Sequence, residues 1–580
     1  MIVNRLQLKI LKSPLLLFLF ISSIQTNAQS SDYTKNQTYT YTEIIKQYKQ
    51  IDAKHSQAKM IEFGKTDGGS PLHLFLISAS GNFSIDNHRK NKGCFLLINN
   101  GIHPGEPDGI DASVLLAKNL LNGEIVLPVN VMIGIIPVYN VDGALNRGCC
   151  SRVNQDGPEQ YGFRGNARNL DLNRDFIKCD SENAKAFNKM FTTYDPDVFI
   201  DTHTSNGADY TYTLTLIATQ KDKLNRHLSS YMQTEFLPLL YAGMKTVNIP
   251  IVPYVETFGE TPESGLVGFL ETPRYASGYA TLFNSLSFIS ETHMLKPFPQ
   301  RVEATYEFLK RILELTSLQS EKISKARAEA KKDCATKTNF DIEWKLDTTQ
   351  VDSIWFEGYA AKHKTSEVTG LNRLYYDRDN PIHIKIPYYN TYASSLTINK
   401  PSYYIIPQAW KQVIDLLQQN GVKTTILKND TLINAEVYYI TDYKSRERPY
   451  EGHYLHSNVK VKKENQLLQF YKGDVLIECN QTCNRYIVET LEPQAVDSYF
   501  AWNFFDSILQ QKEWFSDYVF EEKAIEILKN DKELKNDFEQ RKLQDSSFAK
   551  NHWSMLYYIY QHSPYYEKTH NRYPVVRVTQ

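Results

Sequence analysis

An α/β fold, with a mixed, mostly parallel central sheet and helices on both faces, is predicted for residues 35–320. A smaller α+β region is predicted beyond them. Three observations carry this reading. Short, continuously apolar runs at 94–99, 131–140, 197–203 and 287–293 suit strands buried on both faces, as in the middle of a parallel sheet. Helical spacing fills the stretches between, at 109–122, ended by Gly123, and at 180–193; such alternation layers helices over a sheet. After about residue 335 the character changes. "IHIKIPYY" and "AEVYYITDY" read as strands, and "QAWKQVIDLLQQNGV" reads as a helix stopped by Asn-Gly.

Taken in order, residues 1–28 read as an export signal. Arg5, Lys9 and Lys12 precede the apolar run "PLLLFLFISSI", and small residues offer cleavage after Ala28. The expected organisation is therefore a signal peptide at 1–28, an α/β domain at 35–320, a helical connector at 321–337 and an α+β accessory domain at 338–580. The connector lies in the charged later part of a long helical pattern running from 299 to 332. No later run is long enough to span a membrane, so the expected location is periplasmic or secreted. The formal net charge of −1 gives no electrostatic ground for a nucleic-acid or anionic-membrane partner.

There are seven cysteines. Cys149–Cys150 and Cys479/Cys483 are disulfide candidates in an oxidising compartment, while Cys94, Cys179 and Cys334 read as buried thiols.

Polar clusters stand at the ends of the apolar runs. His103 and Glu106 come after the first, in a turn made by Pro104 and Gly105; His203 ends the third; Glu291 lies in the last. Open α/β sheets bind ligands just beyond the carboxyl ends of their strands, so these residues are expected to converge. Two imidazoles and a carboxylate with one position left open form the donor set of a catalytic zinc site. A second block, "FRGNARNLDLNRDF", offers Arg174 for a two-pronged grip on a carboxylate, with Asn173 adding hydrogen bonds. In the same block Arg164 is a candidate oxyanion stabiliser, and Asp171 can hydrogen-bond the far nitrogen of a ligating histidine.

These residues, in this order, resemble the M14 zinc carboxypeptidases over roughly residues 40–315. "HPGE" looks like the first ligand pair, "RGNARNLDLNRDF" is similar to the family's substrate-binding stretch, and "DTHT" resembles the strand of the third ligand. The resemblance implies zinc held by His103, Glu106 and His203, Arg164 facing the scissile carbonyl, and Asn173 and Arg174 clamping the terminal carboxylate. It also implies Asp171 supporting the first histidine. For the general base two residues compete, Glu271 and Glu291. Glu291 fits better, since it comes after Tyr275 and Tyr279 and precedes a helix. Either tyrosine is a candidate to contact substrate, with Arg274 beside them a second carboxylate partner. The expected substrate is a peptide or protein with a free C-terminal carboxylate. A zinc amidohydrolase acting on cell-wall peptides or acyl-amino acids is the alternative on the same scaffold, and a non-catalytic binding module is a further one. His293 reads as structural, Asp201 and Asp209 as loop caps, and His453 and His456 as surface residues.

Overall fold

The computed structural model describes residues 32–579; the signal segment at 1–28 lies outside them. Among the described residues, nine strands precede residue 300: β1 (Ala58–Lys65), β2 (Pro71–Ile77), β3 (Cys94–Asn99), β4 (Val131–Ile136), β5 (Val198–Ser205), β6 (Leu214–Ala218), β7 (Val252–Pro253), β8 (Leu266–Val267) and β9 (Leu286–His293). Eight of them form one sheet, ordered β1-β2-β4-β3-β5-β9-β6-β7. Its centre, β4-β3-β5-β9, is parallel throughout, and antiparallel pairs flank it.

Every residue of β3, β4 and β5 is buried. Helices Asp108–Leu121 and Phe298–Leu318 cover one face of the sheet, packing apolar residues against it. The other face lies under Glu182–Tyr194 and an aromatic cluster of Phe176, Phe187, Phe191 and Tyr279. Gly109 allows the first of these helices to approach β5, because a Cβ there would collide with the Thr202 side chain.

The helical pattern near 299–332 is two helices, Phe298–Leu318 and Ser320–Thr336. The second is firmly docked. Its Arg327 is buried and binds Asp195 and Asp197 at the start of β5, the latter at 2.9 Å.

Beyond it come β10 (Asn339–Leu346), β11 (Asp352–Thr365), β12 (Asn372–Tyr389), β13 (Tyr392–Asn399), β14 (Tyr403–Ile406), β15 (Thr425–Ile426), β16 (Thr431–Ser445), β17 (His456–Phe470), β18 (Val475–Glu478) and β19 (Val576–Val578). A six-stranded sheet, β15-β18-β14-β19-β16-β17, dominates this region, and the long hairpin β11–β12 adds to β8 of the first half. One apolar cluster runs without a break from Leu74 and Phe187 to Tyr486, Trp502 and Tyr573, so the two halves share a core.

Cysteines 149 and 150 are disulfide-bonded to each other. Cys479 and Cys483 are free thiols, buried like Cys94, Cys179 and Cys334, which corrects the expectation of a second bridge.

Candidate metal centre and active site

His103 and Glu106 lie in the turn after β3, and His203 lies within β5, its parallel neighbour. All three are buried, and one donor atom from each lies within 4.8 Å of the others. Both imidazoles are oriented the same way. His103 meets Asp171 Oδ1 through Nε2 at 2.9 Å, and His203 meets Asp201 Oδ2 through Nε2 at 2.8 Å. Each therefore turns Nδ1 inward, 3.3 and 3.0 Å from the two oxygens of Glu106. His103 Nδ1 is buried and has no hydrogen-bond partner among the described residues. A buried, orphaned imidazole nitrogen is costly unless something else satisfies it. Two imidazole nitrogens and a carboxylate, with each imidazole's far nitrogen held by a carboxylate, fit zinc, a borderline-soft dication.

The electrostatics stem from these contacts. Burial works against the charge on Glu106, yet Arg152 (Nη1 to Oε1, 2.8 Å) and His103 hold its carboxyl well below the usual range. His203 is pushed well above the usual imidazole value: burial opposes this, but Asp201 and Glu106 overcome it. Asp171 is likewise depressed, against burial, by His103, Arg164 and Arg174.

The long segment between β4 and helix Glu182–Tyr194 brings the other polar candidates to this centre. Arg164, with its side chain 45% exposed, is anchored by Nε and Nη2 to Asp171 Oδ2, at 3.0 and 2.9 Å, and its Nη1 lies 3.6 Å from Glu106. Asn173 is buried. Its Nδ2 lies 3.4 Å from His203 Nε2, and its Oδ1 accepts from the Ala276 amide. Arg174 lies over the Tyr275 ring at 4.4 Å.

Glu291 is the Cα partner of His203 across the β5–β9 pairing, so the two side chains leave neighbouring strands on the same face. Burial pushes its carboxyl up to about 8; His203 opposes the shift, and Glu106 and Asp201 add to it. Glu271 sits elsewhere, fully buried and accepting the Gln220 amide at 2.8 Å.

Several expectations are corrected. Tyr279 does not reach the polar centre: it is 0% exposed among Phe176, Phe187, Phe191 and Phe283, and its hydroxyl donates to Asn420. Tyr275 caps the helix begun at Ala276 and meets Arg174, while core packing claims Tyr279 one turn on. Asp201 is no loop cap but the anchor of His203. The signal was available, since residues i and i+2 of a strand share a face. Asp209 pairs with Arg378 and lies 3.6 Å from His293, which is buried and stacked on Tyr210. His456 is buried between Ser445 and Asp506, and His453 bonds Asp180, so neither is a loose surface residue. Arg152 gave no sequence signal; nor did Asp108, which takes hydroxyl hydrogens from Thr204 and Thr292 and an ion pair from the 0%-exposed Arg301. Those threonines adjoin His203 and Glu291, so this buried network fixes both strand ends.

Residues 44–248 match the zinc carboxypeptidase family model. Among curated relatives, "Carboxypeptidase 2" of Trichophyton rubrum is 22% identical over 461 residues, spanning 75% of this chain and 78% of that protein. "Carboxypeptidase 2" of Trichophyton equinum is 23% identical over the same shares. Among solved structures, a metallo-carboxypeptidase from Burkholderia cenocepacia covers 49% of this chain and 71% of its own at 17% identity and a TM-score of 0.36. Carboxypeptidase A of Helicoverpa armigera covers 52% and 76% at 14% and 0.36. The match encloses the paired histidines and their shared glutamate, which is the donor set a zinc-dependent family requires. The chain is a peptide hydrolase that carries a zinc carboxypeptidase domain of the M14 family, with a further, sheet-rich region at its C-terminal side.

Proposed function

We propose that the protein is an exported metallocarboxypeptidase that removes residues from the free C-terminus of peptides. The observation that carries this reading is the pair of inward-turned imidazoles sharing Glu106, with Glu291 in register beside His203 and two guanidinium groups, Arg164 and Arg174, along the adjoining loop. Zinc bound by His103, Glu106 and His203 would supply Lewis acidity toward a water and toward the scissile carbonyl.

The chain's own residues do the rest. Glu291, in register beside His203, accepts a proton from the attacking water and returns it to the leaving amine. Arg164, fixed by Asp171 yet half exposed, hydrogen-bonds the oxygen on which negative charge grows. Asn173 and Arg174 hold the substrate's terminal carboxylate and so decide which bond meets Glu291.

For export, the support is the signal-like pattern at 1–28 and the disulfide at Cys149–Cys150, which belongs in an oxidising compartment. The test is digestion of peptides in free-acid and C-terminal amide forms. Stepwise loss of C-terminal residues from the free acids alone, abolished by a chelator, is expected. Glu291→Gln should retain zinc and lose at least about a hundredfold in kcat. Full activity in that variant, or equal cleavage of the amides, removes the reading.

A further inference from the structure

The surroundings of Arg174 are not built by the family-matched segment alone. A turn of the C-terminal region, 450–453, packs against them. Tyr450 and His453 exchange two backbone hydrogen bonds, at 2.7 and 3.0 Å, across Glu451 and Gly452, both left-handed at φ 50° and 83°. This is a tight two-residue hairpin turn. That backbone conformation is costly for a glutamate, and here its side chain has a task. Glu451 Oε2 accepts the Asp171 amide at 2.7 Å, while His453 Nε2 meets Asp180 Oδ2 at 2.8 Å. The turn is thus pinned at two points to the loop that bears Asp171, Asn173 and Arg174.

Tyr450 occupies the centre of this contact. Its hydroxyl accepts Arg174 Nε at 3.0 Å. Arg174 donates through Nη1 to the Asn173 carbonyl at 2.8 Å and rests over Tyr275. One nitrogen, one arm and one face of the guanidinium are therefore fixed. The Tyr450 ring is itself held, stacked on Trp502 with Arg446 at 4.5 Å from its centroid and Arg274 at 5.7 Å; Arg274 is tied to Asp497. The groups that hold the ring, Arg274 apart, come from beyond residue 440.

We propose that Tyr450 is a positioning residue of the substrate's end-group site: by fixing the plane of the Arg174 guanidinium, it lets the C-terminal region complete the grip on a terminal carboxylate. A two-pronged guanidinium–carboxylate contact depends on the plane of the fork, and a rotation forfeits one of its two hydrogen bonds. The inference rests on the reading of Arg174 as a carboxylate clamp, and it deepens that reading.

The test is Tyr450→Phe in the full chain, which keeps the ring and its packing and removes only the acceptor. Wild type and variant are compared on a peptide with a free C-terminus. KM is expected to rise roughly tenfold, with kcat within about threefold, because the lost contact serves binding in ground and transition states alike. Zinc content and the thermal midpoint should not change. An unchanged KM, or a fall in kcat at constant KM, overturns the inference. A wild-type chain that releases no C-terminal residue overturns the parent reading and this inference with it. A wild-type chain that does so beside an unaffected variant overturns this inference alone.

Discussion

Each metal-facing imidazole is aimed by a carboxylate on its far nitrogen, and the two anchors come from different kinds of sequence relation. Asp171 lies 68 residues from His103, while Asp201 is two residues from His203 on one strand face. Such partners orient the ring and raise its basicity, and their loss typically costs about ten- to a hundredfold in metal affinity. Asp201→Asn should therefore weaken zinc binding by about that factor while the fold survives, since the amide still fits between Asn99 and His203. Competition against a metal-indicator dye measures it; wild-type affinity in the variant would mean that His203 is oriented by Glu106 and its strand alone. The same scale explains why Tyr275 and Tyr279 part company. Four residues apart at a helix start, one meets Arg174 and the other is absorbed by aromatic packing.

Helix Asp108–Leu121 comes directly after the ligand turn, and its first turns carry two buried acids with opposite fates. Asp108 is satisfied by Arg301, Thr204 and Thr292. Asp111 takes the Thr38 hydroxyl on one oxygen, and its other oxygen is orphaned. Burial pushes its carboxyl up to about 8 from an ordinary value of 3.8, with the Thr38 hydrogen bond opposing. The folded state holds this proton more tightly than the unfolded chain, so the contribution to stability is full below about pH 4 and is lost as pH rises through 8. Asp111→Asn keeps an acceptor for Thr38 and cannot ionise. Its unfolding free energy at pH 8 should exceed that of wild type by on the order of 1–3 kcal/mol. The advantage should shrink toward pH 4 in denaturant titrations, and an equal difference at both pH values would contradict this account.

At the scale of the whole molecule, the two halves do not behave as a catalytic body with an appendage. Their apolar side chains merge in one cluster, β8 extends the hairpin β11–β12, and Tyr450 and Glu451 reach the substrate loop. A chain ending at residue 337 would uncover Phe283, which packs on Tyr486, and leave the Tyr279 hydroxyl without Asn420, at roughly 25 cal/mol for each apolar Å² uncovered. Such a fragment is expected to be insoluble or to bind a hydrophobic dye without a cooperative melt. A soluble fragment with a sharp transition would show that the shared core is dispensable.

Much of this was legible before any fold was known. The strand-end positions of His103, Glu106, His203 and Glu291 came from local periodicity, because alternation and apolar run length are properties of short windows. The parallel centre of the sheet came from runs apolar on both faces. Arg152 against Glu106, Arg301 against Asp108 and Tyr450 against Arg174 were not legible. They join segments 46, 193 and 276 residues apart, and no local pattern records which surface a distant loop will meet. The amino-acid order by itself determined the metal donor set and the strands that present it, because both depend on spacing and residue chemistry. Only the tertiary structure decided which tyrosine lies against Arg174, which acids aim the imidazoles, and that a turn of the C-terminal region packs on the Arg174 loop, because each of these depends on packing between elements far apart in the chain.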